Sequence, residues 1–154
     1  MNIQRLIANY VPTNQQDSAI IAYLQSLQIA TETCFEIYAS FVRHGNLLLA
    51  PDITLLEDTI LSLSLPSLPL GCQRAIGGTV EIINEELLWI AETDMDWSRT
   101  YLLEKLTSIS RQIYDVTQVL ENAYQSRHAQ QKIKTLSEFP RLKISLPLTH
   151  QTGS

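Results

Sequence analysis

From Asp96 to Glu138 the chain has no glycine and no proline, and its apolar residues recur at Leu102, Leu106, Ile109, Ile113, Val116, Leu120 and Ala123. The intervals alternate between four and three, the period of one face of an α-helix. Asp96 or Ser98 can cap its start. A run of about 40 residues at ~1.5 Å each makes a rod of ~60 Å. An apolar stripe of that length needs other elements to cover it, so the rest of the chain is constrained to supply helices that do so.

Three further segments meet that requirement. Asn14–His44 carries Ile20, Leu24, Leu27, Thr31, Cys34, Tyr38 and Phe41 at the same spacing. Ile21, Tyr23, Ile29, Ala30, Phe35, Ile37 and Val42 widen its apolar face, which marks it as the central helix. Thr13 or Asn14 can cap it, and Gly45 suits a left-handed C-terminal cap. The second segment starts at Pro51, which is favoured in a first helical turn, and runs to about Leu63. The third, Cys72–Glu92, carries Ile76, Val80, Ile83, Leu87 and Ile90. Gly77-Gly78 interrupts it at roughly 1 kcal/mol per glycine. Thr79–Ile83 could form a strand after a Gly-Gly turn, but ELLWIAE continues the helical period, and helix is the preferred reading.

Proline punctuates the remainder. The string SLPL occurs at Ser67–Leu70 and again at Ser145–Leu148, each time after an expected helix. Proline lacks an amide donor and pushes the preceding residue towards extended geometry, so both copies read as apolar straps over open edges of a bundle. Pro66-Ser67-Leu68-Pro69 also matches a PxxP ligand, without the usual flanking arginine. The expected fold is therefore all-α: a bundle of about four helices with a long C-terminal helix and short extended Pro-containing straps. Residues 1–139 form the helical bundle domain, and 140–154 an extended or flexible C-terminal tail.

Charge divides the chain unevenly. Residues 1–126 hold six Lys/Arg against fifteen Asp/Glu, whereas 127–154 hold five Lys/Arg against Glu138 alone. The densest acidic stretch is Glu81–Asp96, with six carboxylates and no base. An acidic body repels phosphate backbones and a basic tail attracts them. No apolar run approaches the roughly 20 residues needed to span a bilayer. The first residues make a poor signal peptide, and Cys34 and Cys72 form no CxxC, so a cytoplasmic protein with reduced thiols is expected.

Sites of chemistry are scarce. No acidic residue has a histidine three positions later, the pattern a di-iron bundle needs. His44, His128 and His150 are scattered and read as solvated. Glu32 and Glu36, like Glu81 and Glu85, lie one helical turn apart and read as solvated faces. The acidic run from Asp94 fails as a calcium loop, because its sixth position is Arg99 and its twelfth Lys105. No GxSxG, Walker A or GxGxxG string occurs. Cys34 falls on an apolar seam and reads as an inert core thiol, and Cys72 follows a turn and reads as the more exposed one. Trp89 lies near the third seam and reads as core. Trp97 reads either as an exposed contact residue or, more simply, as a staple onto the third helix.

These features point to a non-enzymatic helical interaction protein, an adaptor or small subunit of a larger macromolecular assembly, with no cofactor. The partner is a protein or a second copy of the chain, and no membrane is involved. The candidate contact residues are Trp97, Arg127, Lys132, Lys134, Leu136, Phe139, Arg141 and Lys143. If the fourth helix runs antiparallel to the shorter third, its basic end overshoots the acidic helix and is free to meet an acidic surface elsewhere. The alternative is a nucleic-acid-associated subunit that uses basic residues 127–143 on phosphates. An enzyme with an unrecognised pocket ranks last.

Overall fold

Helix α1 spans Gln15–Arg43, α2 Ala50–Ser62, α3 Leu70–Glu92 and α4 Arg99–Ser137 in the computed structural model, which describes residues 15–137 and the side chains of 15–127. Among the described residues the chain is all-helical, and Thr79–Ile83 lies within α3 rather than in a strand. The expected caps Thr13 and Asn14 lie outside the described residues.

Four of the helix boundaries have a local cause. Gly45 and Asn46 both have positive φ, 68° and 63°, and the Asn46 N–H returns to the Phe41 carbonyl at 2.9 Å. That left-handed closure satisfies a carbonyl at the end of α1. Pro51 occupies the first turn of α2, and the Asp52 carboxylate accepts the Leu49 N–H at 2.9 Å. Helix α3 begins two residues earlier than the spacing suggests, directly after Pro69. Ser98 rather than Asp96 caps α4, its Oγ accepting the Tyr101 N–H at 3.1 Å.

Cross-helix bonds fix the topology. Helix α2 packs against both α1 and α3. The Tyr23 hydroxyl of α1 reaches the Leu63 carbonyl beyond the end of α2, so α2 runs antiparallel to α1. Gln112 of α4 donates to Glu86 of α3 at 3.2 Å, and Trp89 of α3 meets Tyr101 of α4. Arg99, at the start of α4, donates to Asn46, just past the end of α1. Farther along, Ser110 hydrogen-bonds to Cys34. The four helices therefore alternate in direction, with α4 closing the ring against α1.

The core follows the seams closely in α3 and α4. Ile76, Val80, Ile83, Leu87 and Ile90 are all buried, as are Leu102, Leu106, Ile109, Ile113, Val116 and Leu120. In α1 the buried arc is centred on Leu27, Ala30, Cys34, Ile37 and Phe41, while Ile29 and Phe35 face outward. The link between α2 and α3 buries Leu63 and Leu68 and makes a turn in which the Leu68 N–H bonds to the Leu65 carbonyl. Gln73 Nε2 also donates to the Leu68 carbonyl at 2.8 Å. The second SLPL copy lies outside the described residues. Among the described residues, those up to Glu121 belong to one compact unit and those from Asn122 to a second.

Candidate contact surface

Antiparallel helices α1 and α4 leave a groove between them, and the groove is apolar. On α4, Leu103, Thr107, Ser110 and Tyr114 follow at intervals of four, three and four, so they share the flank that turns towards α1. On α1, Phe35 and Tyr38 occupy the matching flank. The groove holds a cavity of about 120 Å³ whose lining includes Cys34, Phe35, Tyr38, Leu103, Leu106 and Ser110. Phe35 is 68% exposed, Tyr114 62% and Leu103 46%, although all three are large apolar or aromatic residues. Exposed apolar side chains gathered along one groove are the kind of surface that marks contact sites.

The floor of the groove is chemically quiet. Cys34 is buried, and burial pushes its thiol up to about 11, partly offset by the Ser110 hydrogen bond. At neutral pH it is a protonated thiol, whereas nucleophilic cysteines need the thiolate. Cys72, expected to be the more exposed cysteine, is also buried, because α3 starts early enough to carry it onto the core face.

The structure reverses the sequence reading of Trp89 and takes the staple alternative for Trp97. Trp97 is buried, with its ring edge-on to Trp89 at 5.4 Å and stacked on Tyr101 at 5.3 Å. Trp89, read as core, is 39% exposed, and the Lys105 ammonium sits 4.8 Å over its ring. Trp97 thus staples the start of α4 onto α3, and Trp89 presents the outer face of that cluster. As a contact residue Trp97 is corrected, since its surface is spent inside the bundle.

A polar cleft of about 270 Å³ lies where α3 ends, and Glu92, Asp94 and Asp96 line it with Asn46 and Trp97. Among the described residues, no group of three or more His, Cys, Asp or Glu side chains could hold a metal ion. The pairs Glu32–Glu36 and Glu81–Glu85 are exposed. His44 is exposed, and its Nδ1 donates to the Ser40 carbonyl at 2.8 Å. Glu121 is buried at 1% exposure, with Oε1 accepting from Gln118 and Oε2 unpartnered. Burial raises its pKa. Among the described residues, no helix is long and apolar enough to cross a membrane.

Of the remaining expected contact residues, Arg127 is half-buried on α4 and makes a polar contact. Lys132, Lys134 and Leu136 lie on the α4 backbone, and Phe139, Arg141 and Lys143 lie outside the described residues. Sequence reading missed Phe35 and Tyr114 as surface residues. Phe35 counted towards the width of the α1 seam, and Tyr114 lies one residue off the α4 seam. The angular offset of Phe35 from Leu27, Ala30, Ile37 and Phe41 was the available signal. The chain matches no family model, no curated protein and no solved structure.

Proposed function

We propose that the chain is a non-enzymatic helical interaction protein, an adaptor or small subunit of a larger assembly, and that the α1–α4 groove is its contact face. The observation that carries this reading is the exposure of Phe35 and Leu103 on the lining of one apolar groove, with exposed Tyr114 one turn beyond Ser110 on the same flank of α4. A stable bundle gains nothing from leaving such residues in water, since burying each is worth roughly 1.5–3 kcal/mol. The long C-terminal helix and the Pro-containing segments are supporting contact elements in this reading, with Lys132, Lys134 and Leu136 carried on α4.

The test is to purify the untagged protein at low salt beside a Phe35→Glu/Tyr114→Glu variant. The reading expects a stoichiometric companion chain with the wild type, lost from the variant at unchanged thermal stability. A companion retained by the variant, or a chain that stays single in both, contradicts it.

A second reading rests on the basic run 127–143, in which five cations gather in a chain of net charge −5. There the partner is a nucleic acid held through phosphates. Its affinity should fall steeply with salt, and charge reversal at Lys132, Lys134, Arg141 and Lys143 should abolish it.

A further inference from the structure

No further inference is drawn: the strongest candidate, the apolar groove between α1 and α4 lined by Phe35 and Leu103, belongs to the contact face already described, and nothing in the structure shows what covers it.

Discussion

The Tyr23 hydroxyl of α1 donates to the backbone carbonyl of Leu63, 2.8 Å away, and the pair is buried. That carbonyl lies just past the last turn of α2, where helix geometry leaves acceptors without intrahelical donors. One side chain thus completes the end of a neighbouring helix and pins the start of the α2–α3 link. Burial also raises the phenol pKa, so Tyr23 stays a donor across the neutral range. Tyr23→Phe keeps the ring and orphans the carbonyl, which should cost roughly 1–3 kcal/mol. Urea denaturation showing no loss would mean that water replaces the hydroxyl freely.

Ile113 sits on the α4 seam at 1% exposure. Ile113→Ala should cost roughly 2–5 kcal/mol, the range for truncating a buried aliphatic. A loss below about 0.5 kcal/mol, the scale of a surface substitution, would remove this seam from the core.

Gly78 lies inside α3, and a Cβ added there would meet nothing within 4 Å. Its φ is not in the left-handed region, so alanine fits the backbone. Gly78→Ala should therefore stabilise the protein by roughly 0.5–1 kcal/mol. Gly77 is different, because its added Cβ would touch Leu65 Cδ1 at 3.7 Å. A lower melting temperature for Gly78→Ala would mean that the open position is occupied in solution.

Glu121 gives the fold a pH dependence with a definite sign. Burial raises its pKa above the ordinary value of 4.5, so the folded chain holds this proton to higher pH than the unfolded chain. The stability this provides is complete below the unfolded value and is lost as pH rises through the folded one. Glu121→Gln stays neutral and should be the more stable protein at pH 7, with the difference shrinking towards pH 4. Paired urea melts at the two pH values measure it. A glutamine variant less stable than wild type at pH 7 would show that the carboxylate is stabilised by an interaction that outweighs its burial.

The helices were legible because their seams are regular. Ile76 through Ile90 and Leu102 through Leu120 return every three or four residues, and that spacing needs no tertiary knowledge to read. Gly45 and Pro51 fixed two boundaries through backbone geometry alone. The groove was less legible because it depends on which flank of a broadly apolar helix faces its neighbour. In α1, residues of similar hydropathy cover much of the circumference, so periodicity could not separate core Ile37 from surface Phe35. Trp89 was misassigned for a related reason, since it lies off the α3 seam and stays partly exposed, and the choice between a stapled and an exposed Trp97 is set by the path of the chain between helices. Buried Glu121 looked like any helical carboxylate, since burial depends on what packs over it.

The central claim is that the α1–α4 face is open on the isolated chain and covered on assembly. Hydroxyl-radical footprinting reads this directly at Phe35, Leu103 and Tyr114, with half-exposed Tyr101 on the opposite flank of α4 as the internal reference. The account predicts rapid modification of the first three in dilute protein. Protection should appear as concentration rises, or in the complex isolated at low salt, while Tyr101 keeps its rate. Equal modification of Phe35 and Tyr114 in the dilute chain, the concentrated chain and the isolated complex would contradict it.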